Sequence, residues 1–265
     1  MTFLPTRRRL LAMTAAAAML TTPAFAQDTT VRVGIMGGED EVVWDAVAAE
    51  GKKRGLDIQI SLFNDYTQPN EALSNGDIDA NAFQHQPYLD AQIEAMGYEI
   101  TNVADTVIQP IGVYSAKHDA IEDLPDGAVI GVPNDPSNGG RALKVLEQLG
   151  LIKLDEDAGI LATTLDVTEN PHDFDLRELD AGVVGRAITD LDAAVVNTDW
   201  ALKAGLQDHR IAQESGENNP YMNLIAVRTE DKDAPWVSTL IEAFHTDSVK
   251  EAYATAYKGA AVTSW

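Results

Sequence analysis

Gly76-Asp77-Ile78-Asp79-Ala80-Asn81-Ala82-Phe83-Gln84-His85-Gln86-Pro87-Tyr88-Leu89-Asp90 is the stretch on which the reading of the fold turns. Its apolar run, Ile78 to Phe83, is bounded by Asn75-Gly76 and by Pro87. That is the punctuation of a brief buried strand, then a loop, then a helix opening near Pro87. Phe83, His85 and Tyr88 fall at the carboxyl end of the strand and in the turn after it, where open α/β sheets bind ligands. Three rings there can wall a small pocket with an apolar interior and polar tips. The same spacing also suits Phe83 as core, with His85 and Tyr88 decorating a loop, and spacing alone leaves both readings open.

Upstream, Val31 to Met36 has the pattern of a first buried strand, and Asp57 to Phe63 places Ile58, Ile60 and Leu62 at the period of a pleated sheet. Between them Gly37-Gly38 turns into Glu39-Asp40, acids that open a helix running to about Arg54. The glycine pair lacks the G-x-G-x-x-G spacing and no Walker lysine follows, which excludes a nucleotide loop. Its use is to let the backbone pass close to a ligand or a neighbouring loop. Asn64-Asp65-Tyr66 follows the second strand and Pro69 opens a helix through Leu73, so Tyr66 joins the loop layer of Phe83 and His85.

Downstream, a helix from Pro87 to Met96 is closed by Gly97. Val103 to Tyr114 is extended and interrupted by Pro110, which suits a crossover between lobes better than a central strand. The strand Val129 to Val132 leads into the polar loop Pro133-Asn134-Asp135-Pro136-Ser137-Asn138-Gly139-Gly140, expected to open a helix over Arg141 to Leu149. Free N–H groups at a helix start favour an anion, and Arg141 adds a planar fork for a carboxylate. An ordinary capped helix with a solvated arginine fits the same residues. Leu165-Asp166-Val167 and Leu176 to Leu179 read as short strands, Val183 to Ile188 as a short helix, and Ala193 to Val196 as a buried strand ending at Asn197. Tyr221 to Val227 is the returning crossover and carries Asn223. Asn197 and Asn223 can serve a ligand's polar end or hydrogen-bond local backbone. Two helices, about Ala234 to His245 and Ser248 to Lys258, are expected to pack back on the first lobe.

The first block, with Phe63-Asn64-Asp65-Tyr66-Thr67-Gln68-Pro69-Asn70-Glu71-Ala72-Leu73 before it, resembles the methionine-binding periplasmic proteins of ABC importers, the NlpA/MetQ lipoprotein family. Further blocks follow in the family's order: Pro133 to Arg141, Leu165-Asp166-Val167-Thr168-Glu169-Asn170-Pro171, and Pro220-Tyr221-Met222-Asn223-Leu224-Ile225. The resemblance implies an α/β, two-lobed, type II-like periplasmic-binding fold with two crossover strands. Residues 27–110 with 222–265 would form one discontinuous lobe, and 111–221 the other. It further implies a binding protein, not an enzyme, that delivers L-methionine to the membrane permease of an ABC importer. D-methionine, a methionyl dipeptide or another apolar amino acid is the alternative ligand. By the resemblance Arg141, helped by Asn134 and Asn138, holds the ligand's carboxylate. Asn197 and Asn223 orient the head group, Tyr66, Phe83, His85 and Tyr88 enclose the side chain, and Tyr221 is a further ligand-binding residue.

The totals agree with an exported monomer of this kind. The chain has 265 residues, 45% of them hydrophobic, and a formal charge of −23. Such acidity argues against nucleic acid and anionic membrane surfaces as partners. Residues 1–26 read as a cleaved export signal: Arg7-Arg8-Arg9, an apolar core from Leu10 to Leu20, and Ala24-Phe25-Ala26. Thr6 to Leu11 also resembles a twin-arginine signal. There is no cysteine, so lipid attachment through cysteine is excluded, a departure from the better-known family members. His85, His118, His172, His209 and His245 show no paired metal-ligand spacing, and neither metal nor cofactor is expected. Asp77 and Asp79 lie on one face of a strand, as a catalytic carboxylate pair could, but surface turn acids are much the commoner explanation.

Overall fold

A computed structural model describes residues 29–215 and 219–265. The expected export signal lies outside the described residues. The chain runs β1 (Thr29–Met36), α1 (Glu39–Lys52), β2 (Leu56–Phe63), α2 (Gln68–Ser74), β3 (Ala80–Ala82), α3 (Gln86–Met96), β4 (Ile100–Ile108) and β5 (Gly112–Tyr114). It continues through β6 (Val129–Pro133), α4 (Pro136–Gln148), β7 (Lys153–Leu154), β8 (Val167–Glu169), β9 (Asp175–Leu179), α5 (Ala181–Val184), β10 (Ala193–Val196) and α6 (Thr198–Lys203). The last elements are β11 (Arg210–Gln213), β12 (Met222–Arg228), α7 (Pro235–Phe244), α8 (Asp247–Tyr257) and β13 (Val262–Thr263).

Two large sheets, one in each lobe, take eleven of these thirteen strands, and β7 pairs with β8 in a small third sheet. The first has six strands in the order β13-β4-β12-β3-β1-β2, and the second five in the order β11-β5-β10-β6-β9. β3 is central in the first sheet, parallel to β1 and antiparallel to β12, with Ala80 and Asn81 fully buried. Small side chains suit a strand covered on both faces. The chain passes from one sheet to the other after Ile108 and returns between Gln213 and Met222. Pro110 lies in the first passage, just beyond the hydrogen-bonded ladder that it could not have joined.

The first lobe's core joins β1, α1 and the two C-terminal helices. Val43, Trp44 and Val47 of α1 meet Leu240 and Phe244 of α7 and Tyr253 and Tyr257 of α8, all at most 3% exposed. The chain's end therefore packs on its beginning, as expected. The second lobe closes around Ile130 and Val132 of β6, Leu143 and Leu146 of α4, and Val195 of β10.

Several local readings are corrected. β4 is an interior strand between β13 and β12, so the crossover begins only after Ile108, and the short helix expected over Val183 to Ile188 spans Ala181–Val184. The helix expected from Arg141 starts five residues earlier, at Pro136. Asp135 caps it, accepting the Asn138 N–H at 2.9 Å, and Pro136 supplies a preset φ at the first position. The glycines that read as loop are inside the helix because Gly140 lies against backbone: a Cβ there would stand 2.4 Å from the Ile160 carbonyl oxygen. The segment Leu165-Asp166-Val167 is a 3-10 turn over Thr164–Asp166, stapled by Thr163 and Asp166, and the strand begins only at Val167.

Candidate functional site

A cavity lies between the lobes. Met36, Asp40, Tyr66, Phe83, His85, Tyr88 and Asn223 reach it from the first lobe, and Asn138, Arg141, Asn197 and Asp199 from the second. Several of these residues lie at or just past the carboxyl ends of strands, whereas Asn223 sits at the amino end of antiparallel β12. β1 ends at Met36, β3 feeds Phe83, β6 feeds the cap of α4, and β10 feeds Asn197.

The aromatic wall is a connected cluster. Tyr66 stands 6.0 Å from Phe83, 6.0 Å from Tyr88 and 5.6 Å from Trp200, and Phe83 meets Tyr88 edge-on at 5.8 Å. The Tyr88 hydroxyl donates to the Tyr66 carbonyl at 2.9 Å, which ties the loop after β2 to the start of α3. Beneath the wall, Asn70, Asn81 and Gln84 hydrogen-bond to one another at 2.7–3.0 Å in full burial. This closed set of amides fixes the turn from β3 into α3, because each donor and acceptor lost there would leave its partner unsatisfied.

A chain of hydrogen bonds orients the polar end. The Asp135 carboxylate accepts both contacts of the Asn138 amide nitrogen at 3.0 Å, so Asn138 must present its oxygen inward. That oxygen accepts from Asn197 Nδ2 at 2.8 Å and from His85 Nε2 at 3.1 Å. His85 Nδ1 accepts the Tyr88 N–H at 3.2 Å and caps α3, which places the ring proton on Nε2. Burial, with Arg141 nearby, lowers the His85 pKa to about 3, so the ring is neutral. Asn197 Oδ1 is then left buried with no partner. An unpaired buried acceptor at a cavity asks for a donor from the ligand.

Arg141 is buried and already engaged. Its Nε lies 3.1 Å from both carboxylate oxygens of Glu214, its Nη2 also pairs with Glu214, and Nη2 donates to the Gln109 carbonyl at 3.0 Å. Glu214 also accepts the Ile111 N–H at 2.9 Å. The guanidinium rests 4.4 Å from the centre of the Tyr221 ring, and that ring meets His85 edge-on. The edge of the fork read from sequence as a carboxylate grip therefore holds the two chain passages between lobes. Nη1 has no hydrogen bond among the described residues.

Of the residues singled out in the sequence, Tyr66, Phe83, His85, Tyr88, Asn138, Arg141, Asn197 and Asn223 line the cavity. Tyr221 backs Arg141 and His85. Asn134 is exposed and outside the lining, its N–H bonded to the Leu179 carbonyl at 2.8 Å. Asp40, Gln109, Asp199 and Glu214 escaped the sequence reading. Asp199 had a signal, two residues past Asn197 at a strand's carboxyl end. Glu214 had none, because its partner is 73 residues away. Asp79 is held by Arg32 and Arg228, an ion cluster at the opposite end of β3 from Phe83, while Asp77 is exposed. Among the described residues no group of three or more His, Asp or Glu is placed to hold a metal ion.

Comparison with known proteins places this geometry in a family. The chain belongs to the NlpA lipoprotein family, whose model matches residues 31–265. It is 44% identical over 240 residues to the D-methionine-binding lipoprotein MetQ of Escherichia coli K12, covering 89% of this chain and 88% of that protein. A nutrient binding protein from Burkholderia cenocepacia, solved bound to methionine, is 49% identical with a TM-score of 0.86, over 89% of this chain and all of that one. An ABC transporter periplasmic substrate-binding protein from Coxiella burnetii is 40% identical with a TM-score of 0.85, over 88% of this chain and all of that one.

Proposed function

Starting from that membership, we propose that this chain captures methionine in the periplasm and delivers it to the permease of an ABC importer, without covalent chemistry of its own. The observation that carries the reading is the cavity itself. An apolar aromatic wall from one lobe faces a hydrogen-bonded polar end, mostly from the other, with a buried acceptor unfilled at Asn197. A thioether side chain fits the wall, where each sulfur–aromatic contact is worth roughly 0.3–1.5 kcal/mol. Tyr66, Phe83, Tyr88 and the neutral His85 enclose it. Arg141 Nη1 and the Asn138 region take the carboxylate, and Asn197 and Asn223 the rest of the head group. Tyr221 holds Arg141 in place. Export by the N-terminal signal, with no cysteine to carry a lipid, yields a diffusible monomer.

The test is a thermal-shift panel on refolded mature protein, so that ligand carried from the cell is removed. L-methionine is the ligand expected, and D-methionine the first comparison. Ligand at about a hundred times its dissociation constant adds about 2.7 kcal/mol, or roughly 5–10 °C for a chain of this size. Shifts with dipeptides or other apolar amino acids alone would change the substrate. Silence across the panel would end the reading.

A further inference from the structure

The cavity holds two carboxylates that the roles assigned above leave unused. Asp40 comes from the first turn of α1 in the first lobe, and Asp199 from the first turn of α6 in the second. Each is 7% exposed, and both line the same space. Each has one oxygen on a tyrosine hydroxyl, and the Asp199 carboxylate also accepts the backbone N–H groups of Asp199 and Trp200. Tyr257 donates to Asp40 Oδ1 at 2.6 Å, and Tyr66 to Asp199 Oδ1 at 2.6 Å. Among the described residues no cation forms an ion pair with either, though the Lys203 charge is near enough to favour both ionised forms. Lys203, one turn beyond Asp199, is exposed and holds its ammonium 4.3 Å from the Trp200 ring centre. Arg141 is occupied by Glu214, and His85 is neutral.

Besides Arg141 Nη1, which is left for the ligand's carboxylate, the polar groups here that no cation holds are acceptors: the two carboxylates and the buried, partnerless Asn197 Oδ1. Burying carboxylates without a cation is costly. A ligand relieves that cost only by bringing positive charge and N–H donors, and a primary ammonium brings one charge and three donors.

We propose that Asp40 and Asp199, one from each lobe, form with Asn197 an ammonium subsite that selects ligands carrying a free amine. The proposal rests on the methionine-binding reading and deepens it. Because the two carboxylates belong to different lobes, a cation between them also removes a repulsion across the closure.

A proton is the natural occupant when the ligand is absent. Burial pushes Asp40 up to about 7, with the Asp199 charge adding to the shift, and burial raises Asp199 as well. The groups facing Asp40 are Tyr253 and Tyr257 from α8, Asp199 and Lys203 from α6, and Glu39 on its own helix. Those facing Asp199 are Tyr66 and Lys203, and Asp135 reaches Tyr66 from the cap of α4. The ammonium binds the ionised pair, so below about pH 7 binding must expel a proton. Affinity then rises with pH up to about 7 and levels off above it.

Titration calorimetry on the refolded mature chain tests this with L-methionine and its deaminated analogue, the methylthio-substituted butyrate. Heats at pH 6 in two buffers of different ionisation enthalpy should reveal proton release in the wild type, a readout that needs no variant. The analogue should bind at least about a thousandfold more weakly than methionine, as a site built for a lost donor requires. Asp199→Asn and Asp40→Asn should each weaken methionine roughly ten- to a hundredfold, narrow the gap to the analogue and flatten the pH dependence. Equal binding of the analogue, or Asn variants that keep both the gap and the pH slope, would overturn the proposal while the methionine reading stood. Failure of the wild type to bind methionine at all would remove the reading beneath it.

Discussion

Asn138 shows how one residue's orientation decides what a site can receive. Asp135 fixes its amide, the amide fixes Asn197, and Asn197 is left offering an acceptor to the cavity. His85 belongs to the same chain and gives it a pH signature. Its folded pKa is lowered to about 3, while an unfolded histidine titrates near 6.5. The unfolded state thus takes up a proton that the folded state refuses. This contribution to stability is present above about pH 6.5 and is lost as pH falls toward 3, on the order of a few kcal/mol. Urea denaturation from pH 7 to pH 4 should show a smaller loss in His85→Gln than in the wild type, and equal losses would contradict the assignment. Arg141 carries a separate prediction. Arg141→Ala leaves Glu214 buried without its cation, and should lower the stability of the ligand-free protein by about 3–5 kcal/mol in the same assay. An unchanged midpoint would mean that the pair contributes nothing to holding the two passages together. Arg141 and Asn138 were legible in the sequence as polar groups at a strand's end. Glu214 was not, because only the fold brings its distant segment to the guanidinium.

At the scale of elements, the sequence announced β1, β2, β3, α3 and β10 through apolar runs punctuated by proline, glycine and asparagine. It misled at α4, where Gly139-Gly140 has the composition of a loop. Tertiary packing overrides that propensity: the Gly140 position is pressed against the backbone of Ile160, Leu161 and Ala162. A methyl group there must displace main chain, so Gly140→Ala should destabilise by roughly 1–3 kcal/mol even though alanine is the better helix former. If the variant gained stability, the close approach of this loop to α4 would be wrong. The same shift of the helix start places Arg141 in the second turn of α4, away from the free N–H groups at the helix start. The N-terminus of α4 is filled by the chain's own Asp135. Gly38 tells a similar story, since it caps α1 with a φ of 113° and a Cβ added there would stand 3.1 Å from Lys203 Cε of the other lobe. The sequence had offered a ligand or a neighbouring loop as the reason for that glycine pair, and at Gly38 the neighbour is α6.

At the scale of the molecule, two sheets joined by two passages enclose one cavity, and family membership and the solved relatives agree on a two-lobed binding fold. Crossovers and lobes were readable because proline placement and the return of terminal helices leave marks in the sequence. Charges that meet across the lobes leave fainter ones: Asp199 had its place beside Asn197, but nothing in the sequence set Asp40 into the same cavity. The central claim is that the interlobe cavity binds methionine. Titration calorimetry of refolded mature protein with L-methionine tests it most directly. The account predicts saturable binding at one site per chain, abolished or strongly weakened when Asn197→Ala removes the unfilled acceptor. Absence of heat and of displacement with both enantiomers, on protein shown to be folded and ligand-free, would contradict it.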